Sequence, residues 1–405
     1  MMERHFNTAK EIWKLVMLVF LIIVTFSYAM FQGGFVSWFL FYSFLPFAVY
    51  ALGLSFYTLK DMKAERIFPK REFNSGEKVR ISVLIERNTP FPLFYAIAEE
   101  QITEELGSKL RNKAKSFLHP VFHKVFHFEY TIEAMPRGEH FFNSIRLKTG
   151  DPLGLIEKEV QIPVEDKIVV YPKYVELLYK PFEHQFDQGM TASKERVQRD
   201  TSMVSGVREY QPGDRFSWIN WKATARRNDI MVKEFEQRQS HDILIMMDCA
   251  PDSRFEIAVS FTASVIRAIL RKGAQVGLIT SSHDRIAFPI KGGDGQQQQL
   301  LYHLAKITDN SQAPFDKVIE AEGFLNHHHS NLLLVTAQLS KGLVERAGRY
   351  SQKGGLVTIF LIRKEEESTS KDELGLKSSA TARGIRVVMI HDKQFKDAFS
   401  EVSRA

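Results

Sequence analysis

The chain has 405 residues, 44% of them hydrophobic and 25% charged, which excludes wholesale disorder and leaves room for two or three domains. Its formal net charge of +6 is modest for that length and suits a protein at a membrane surface as well as a weak nucleic-acid binder. Cys249 is the only cysteine, so an intramolecular disulfide is excluded and nothing points to an oxidising compartment.

No charged residue occurs between Lys14 and Lys60. About 20 apolar residues cross a bilayer, so this interval is too long for one span. Gln32-Gly33-Gly34 breaks it into two expected spans, Trp13–Phe31 and Phe35–Tyr57, with Pro46 inside the second. A signal peptide would end in a small-residue cleavage site, whereas here a second apolar span follows at once. A retained two-helix transmembrane anchor over residues 1–61 is therefore expected. Arg4, Lys10 and Lys14 precede the first span, and Lys60, Lys63, Arg66, Lys70 and Arg71 follow the second. The connecting turn carries no charge, so both termini and the soluble domains are expected in the cytoplasm, at the cell membrane.

Residues 62–174 read as strands. Val79–Ile85 and Phe126–Ile132 alternate apolar and polar residues, the period of a half-buried strand. Phe141, Phe142, Ile145 and Leu147 indicate another strand, and Lys167–Tyr171 a further one. Asn74-Ser-Gly76, Thr89-Pro-Phe-Pro92, Pro136-Arg-Gly138 and Gly150-Asp-Pro152 punctuate them as turns. Short strands at this spacing predict an all-β sandwich. Residues 175–205 are polar and aperiodic and read as a linker.

The segment from Gly206 to Arg226 reads GVREYQPGDRFSWINWKATAR and runs on into Val232-Lys-Glu-Phe-Glu236. Pro212-Gly213 marks a turn, and Asp214 is placed to cap a following helix. Trp218, Ile219 and Trp221 supply apolar area, and Lys222, Arg226 and Arg227 suit a helix end. The structural expectation is that the tryptophans and ion pairs clamp the sandwich to the next domain. The functional one is a recognition surface built from Arg208, Glu209, Tyr210, Asp214, Trp218, Trp221, Lys222 and Arg226. Seven positive against five negative charges over Arg208–Arg238 do not make a phosphate-tracking stripe, so no nucleic-acid partner is expected. This segment resembles the signature of the bacterial family called domain of unknown function 58. Arg137-Gly138 and Gly150-Asp-Pro-Leu-Gly-Leu155 are similar to further elements of that family, with Leu153 in place of its usual aromatic. These read as turns of the fold.

Beyond the signature the pattern becomes strand, helix, strand. Asp242–Asp248, Gln275–Thr280, Asn331–Thr336, Leu356–Ile362 and Ile385–Ile390 read as core strands. Arg285–Ile290 reads as an edge strand, where Pro289 is tolerated. Helical periodicity over Phe255–Arg271 and around Leu300–Ile307 completes an open α/β sheet with right-handed crossovers. The order is similar to a von Willebrand factor A domain, which the family resemblance also implies, so residues 206–405 are expected to join the signature to such a domain.

That resemblance implies a divalent-metal motif of Asp-x-Ser-x-Ser with a later Asp. This chain has Asp248-Cys-Ala-Pro-Asp252 and Val335-Thr-Ala337, leaving Asp248, Asp252 and Thr336 as weak metal candidates, and no cofactor is expected. Cys249 reads as a buried, inert thiol. His327-His-His329, Gly292-Gly-Asp-Gly295 and Gln296–Gln299 read as loop, turn and helix start. With no catalytic constellation, the expected function is a non-enzymatic membrane-anchored scaffold or adaptor. The family resemblance implies a MoxR-type AAA+ ATPase as partner, beside the lipid bilayer, and a role in assembly or regulation of envelope proteins. The alternatives are a divalent-metal-dependent binding module at Asp248 and an uncharacterised enzyme.

Overall fold

The computed structural model describes the chain except residues 1, 103–113, 181–203, 212–213, 228, 236–241, 283–284, 322–330, 353–354, 366, 368–369 and 400–405. The chain divides into two compact units, Met1–Lys173 and Tyr174–Ala405.

The first unit opens with two helices, α1 (Met2–Gln32) and α2 (Phe35–Phe56). Their segments Trp13–Gln32 and Phe35–Phe56 have mean hydropathies of 2.3 and 1.7, long and apolar enough to cross a bilayer. Gly33 ends α1 at φ 59°, a conformation that side chains with a Cβ rarely adopt. Ser37 then receives the Gly34 N–H at 3.2 Å and starts α2. Phe26 meets Trp38 at 6.4 Å and Phe41 at 5.6 Å, so the helices pack against each other.

Eight strands follow: β1 (Lys63–Ile67), β2 (Glu72–Asn74), β3 (Val79–Glu86), β4 (Ala96–Ile102), β5 (Lys115–Leu118), β6 (Val125–Ile132), β7 (Gly138–Gly150) and β8 (Glu157–Tyr171). They form a three-stranded sheet, β1-β3-β6, and a five-stranded sheet, β2-β8-β7-β4-β5. The alternation read in β3 is real: Val79, Ile81, Val83 and Ile85 are fully buried. Both sheets contribute to one apolar core, which also takes Ala51 and Leu54 of α2. Asp151 accepts the Leu153 N–H at 2.9 Å and that of Ile156, closing the Asp-Pro-Leu-Gly turn, with Gly154 at φ 71°.

Arg66 departs from its expected place. It follows the anchor in sequence, yet its side chain is buried between the sheets. It pairs with Glu100 of β4 and, at 2.7 Å, with Asp166 of β8. Tyr130 of β6 donates to Glu100 at 3.2 Å. Burial pushes the Glu100 carboxyl above its ordinary range, opposed by the Arg66 charge.

The second unit contains β9 (Val204–Glu209), α3 (Trp221–Arg227) and β10 (Met231–Phe235), with β9 and β10 forming a two-stranded sheet. Then come β11 (Asp242–Met247), α4 (Phe255–Arg271), β12 (Gln275–Thr280), β13 (Ile286–Lys291), α5 (Asp294–Lys306), α6 (Phe315–Ala321) and β14 (Asn331–Thr336). The chain continues through α7 (Lys341–Gln352), β15 (Val357–Arg363), α8 (Lys371–Ala382) and β16 (Ile385–His391). The six-stranded sheet has the order β13-β12-β11-β14-β15-β16. Its neighbours are parallel except β12 and β13, so the Pro289-bearing strand is an antiparallel edge. Gln296 fixes that edge, donating to the carbonyls of Val276 at 3.1 Å and Pro289 at 2.9 Å. It is a buried tie where the sequence suggested only a polar helix start. The carboxyl ends of β11 and β14 meet side by side, the usual place for a ligand crevice in an open α/β sheet.

The first part of the expected linker is packed rather than free. The Val175 N–H donates to Ser264 of α4 at 2.9 Å, and the Arg267 guanidinium lies 3.9 Å from the Tyr174 ring centre. Tyr179 is buried against Phe399, and burial raises its hydroxyl to about 12. Residues 181–203 of that segment lie outside the described residues.

Candidate functional site

The signature segment is a β-hairpin with a long insert. Strands β9 and β10 pair antiparallel, with Val232 opposite Arg208. Asp214 accepts both terminal nitrogens of Arg208, at 2.8 and 2.7 Å, and the Gln211 N–H at 2.9 Å. It ties the start of the insert to β9. Asp214 is therefore not the helix cap expected from the sequence. Residues Phe216–Trp218 make a 3-10 turn that ends in extended Ile219, and α3 starts only at Trp221. Asn220 is the cap, accepting the Ala223 N–H at 3.2 Å. Thr224 then accepts the Met231 N–H at 3.0 Å and pins α3 to β10. Pro212 and Gly213, expected as the turn, lie outside the described residues.

Ile219, Met231 and Val232 are buried beneath this scaffold. Trp218 is half-buried, with the Arg215 guanidinium 5.4 Å from its ring centre. Trp221 is 70% exposed and Phe216 78%, so neither ring enters the small core beneath the hairpin. The reason is the break at Ile219, which turns the small core inward and leaves the first face of α3 outward. Lys222 and Arg226 are exposed on the same short helix, Glu209 is exposed on β9, and Tyr210 is half-buried, its N–H on the Ile230 carbonyl at 2.9 Å. The outcome is two exposed aromatic side chains, Phe216 and Trp221, on a segment that also exposes Lys222 and Arg226.

The second candidate lies at the carboxyl edge of the six-stranded sheet. Asp248 accepts the Ala250 N–H at 3.0 Å and the Thr336 hydroxyl at 2.9 Å. Burial raises its carboxyl above the ordinary range, and those two hydrogen bonds oppose the rise. Asp252 is engaged differently. The Nε and Nη2 of Arg254 grip its two oxygens, each at 2.8 Å, and hold its carboxyl down to about 2. Arg254 also reaches Glu367 at 3.2 Å, and Lys364 donates to Ser253 at 2.8 Å, so the loops after β11 and β15 are tied together. The sequence reading missed Arg254 and Glu367. Asp252-x-Arg254 was a legible cue for the first, whereas the second is 113 residues away.

Asp248, Asp252, Phe255 and Gln338 line a shallow depression with Ala250, Ala258 and Ala337. An octahedral oxygen shell does not fit this set: Ala250 and Ala337 offer no side-chain oxygen, and Asp252 is neutralised by its own arginine. Among the described residues, no three His, Cys, Asp or Glu side chains converge as a metal-ligand group. His327–His329 lie outside the described residues. Cys249 is fully buried, its N–H on Ser281 at 3.0 Å, consistent with an inert thiol.

A family model described as "Protein of unknown function DUF58" matches residues 206–405. An uncharacterised protein, YeaD of Bacillus subtilis (strain 168), is 37% identical over 378 residues, spanning 93% of this chain and 94% of that protein. Among solved structures, the VWA domain of SpRpn10 is 14% identical, with 39% of this chain and 93% of that one covered at a TM-score of 0.30. The CARDB domain of the PF1109 protein from Pyrococcus furiosus is 9% identical, with 27% and 92% covered at a TM-score of 0.20.

Proposed function

The chain belongs to the DUF58 family, and on that premise we propose that it is a membrane-anchored, non-enzymatic scaffold or adaptor. The observation that carries the reading is the exposed pair Phe216 and Trp221 on the family signature, beside Lys222 and Arg226. Large aromatic groups held outward by a rigid turn are the usual anchors of a protein interface. The hairpin spends Asp214, Asn220 and Thr224 on holding that surface in place, which supports recognition rather than catalysis. The family resemblance supplies the partner, a MoxR-type AAA+ ATPase, and a role in assembly or regulation of envelope proteins.

The architecture proposed for this role has three parts. The helices α1 and α2 cross the membrane as a hairpin, with both termini in the cytoplasm by the charges that flank them. Residues 62–174 form a β-sandwich, a reading supported by two sheets on one core. Residues 206–405 join the signature to a von Willebrand factor A-like domain, supported by the parallel sheet with an antiparallel edge and by Asp248 at its central strand end. Partner recognition there is independent of divalent metal, because Arg254 already supplies the positive charge that Asp252 faces.

Co-purification from membranes with the ATPase, in ATP-bound, ADP-bound and nucleotide-free states, tests the reading. The wild-type chain is expected to retain the ATPase in at least one state, and Phe216→Ser with Trp221→Ala to lose it. Absence of association in every state overturns the proposal.

A further inference from the structure

We propose that the rim of the sheet-bearing body around the end of α2 is a lipid-contacting surface, its loops and the end of β5 setting Phe94, Phe117, Phe122 and Leu153 into the interfacial layer of the bilayer. This rests on the membrane-anchored reading above and deepens it.

Strand register brings the rim together. Ala96 at the start of β4 is paired with Thr149 near the end of β7 and with Leu118 at the end of β5. Gly150 is opposite Glu157, and Leu93 bridges Val121. The segments 91–95, 117–122 and 151–156 therefore share one end of the five-stranded sheet. Glu86 of β3, opposite Lys63 and Val125, ends on the same side.

That end is fastened to α2. Lys158 donates to the Ser55 and Tyr57 carbonyls at 2.5 and 2.6 Å, capping the helix. Lys14 of α1 pairs with Glu157 at 3.4 Å. Phe91 stacks on Tyr57 at 4.9 Å and on Tyr50 at 5.7 Å, and Phe94 lies against Tyr50 at 4.6 Å. Tyr50 precedes the last residue of α2 by six positions, roughly 9 Å along the axis. Phe94 is thus level with helix surface well inside the apolar segment, at a depth typical of interfacial insertion, about 5–10 Å.

The surface chemistry agrees. Among the described residues of the body, the exposed large apolar side chains are Ile67, Phe94, Phe117, Phe122, Val125, Phe141 and Leu153, and all but Ile67 and Phe141 sit at this end. Phe141, 43% exposed at the far end, has the Lys167 ammonium 5.6 Å from its ring centre. The rim's exposed aromatics are 48% (Phe94), 59% (Phe117) and 64% (Phe122) exposed, too concentrated for a water-facing surface. Exposed Lys60 and Lys124 flank it, where anionic headgroups would lie. Lipid is the occupant because the rim is continuous with the apolar surface of α2. The turn Asp151-Pro-Leu-Gly154, otherwise only a turn, gains a purpose: it carries Leu153, 49% exposed, to the bilayer.

The test is nitroxide accessibility in the full chain reconstituted in bilayers of mixed zwitterionic and anionic lipid. Labels go on Phe122→Cys, Leu153→Cys, Ala134→Cys and Phe47→Cys, each in a Cys249→Ala background. Ala134 is exposed at the far end of the body, and Phe47 lies within α2. Collision with oxygen, relative to a water-soluble nickel chelate, is expected to be severalfold higher at 122 and 153 than at 134, and highest at 47. Values at 122 and 153 matching 134, with 47 still in lipid, overturn the inference and leave the anchor standing. A water-exposed label at 47 overturns the anchor itself, and this inference with it. Labels at 122 and 153 that neither agent reaches mean that protein covers the rim, which also overturns it.

Discussion

Arg254 is the residue on which the chemistry of the strand-end depression turns. Its two bonds to Asp252 are charge-assisted, and both side chains are mostly buried, at 13% and 11% exposure. The depression is open to solvent, which screens the pair, so Arg254→Ala is expected to cost about 1 kcal/mol. The Asp252 carboxyl should rise from about 2 toward 3.8 as the partner is lost. Millimolar Mg²⁺ is expected to leave the thermal midpoint of the wild-type chain unchanged. A Mg²⁺-dependent rise would mean that Asp252 leaves its arginine for the ion. Arg66 shows the other regime. Its side chain and that of Glu100 have no exposure at all. Arg66→Leu strands a carboxylate in the core and should cost roughly 3–5 kcal/mol. Arg66→Leu with Glu100→Leu should recover most of that, since Asp166 keeps partial access to water. Calorimetry of the single and double variants in detergent decides, and equal losses in both would refute the buried-pair account. Nothing local marks Arg66 for burial. Lys63-Ala-Glu-Arg-Ile67 is too short and too charged to show its inward face, and the partners lie 34 and 100 residues on.

At the scale of elements, the joint between α2 and the sheets is made by a side chain from β8. Lys158→Met removes the cation from the helix end and leaves the Ser55 and Tyr57 carbonyls unmatched. The expected loss is about 1 kcal/mol locally, seen as faster proteolysis within residues 57–62 in detergent, with the strand core still protected. Unchanged cleavage there would show that the aromatic stack of Tyr57, Phe91 and Tyr50 holds the joint alone. Elements with a strong period were legible beforehand. The two apolar spans, the alternation in β3 and β6, and the buried runs of β11, β14, β15 and β16 match the sequence reading within a residue or two, while α1 itself begins eleven residues before its span, at Met2. The signature hairpin was not legible in the same way. Asp214 looks like a cap because Asp is a preferred N-cap residue ahead of an apolar run, but the Arg208 guanidinium six residues back competes for it. Likewise, hydropathy alone assigns tryptophan to the interior, and only the extended Ile219 turns Trp221 outward. The same limit hid the lipid rim, whose members come from separate segments of the chain.

On the scale of the whole molecule, the two units have separate cores, and a single natural probe reports on one of them. Cys249, the only cysteine, is fully buried at the end of β11, so its reactivity measures opening of the α/β unit alone. That unit contains a pH-sensitive group, His303 of α5. Its Nε2 pairs with the Thr280 hydroxyl at 2.8 Å, its ring meets Phe288 at 5.0 Å, and burial lowers its pKa from 6.5 to about 4. The unfolded chain accepts a proton near pH 6.5, whereas the folded unit resists it until about 4. Between those values the unfolded state binds more protons, so stability is full above 6.5 and falls as the pH drops through the window. The full depression corresponds to about 3 kcal/mol. Labelling of Cys249 by a pyridyl disulfide, corrected for the rate in the denatured chain, should therefore accelerate by up to roughly tenfold per pH unit within the window. His303→Gln keeps a partner for Thr280 but carries no titrating ring, so its profile should be nearly flat over the same range. A flat wild-type profile between pH 6.5 and 4 would remove His303 as the cause. An equally steep profile in His303→Gln would move the effect to carboxylates elsewhere in the unit.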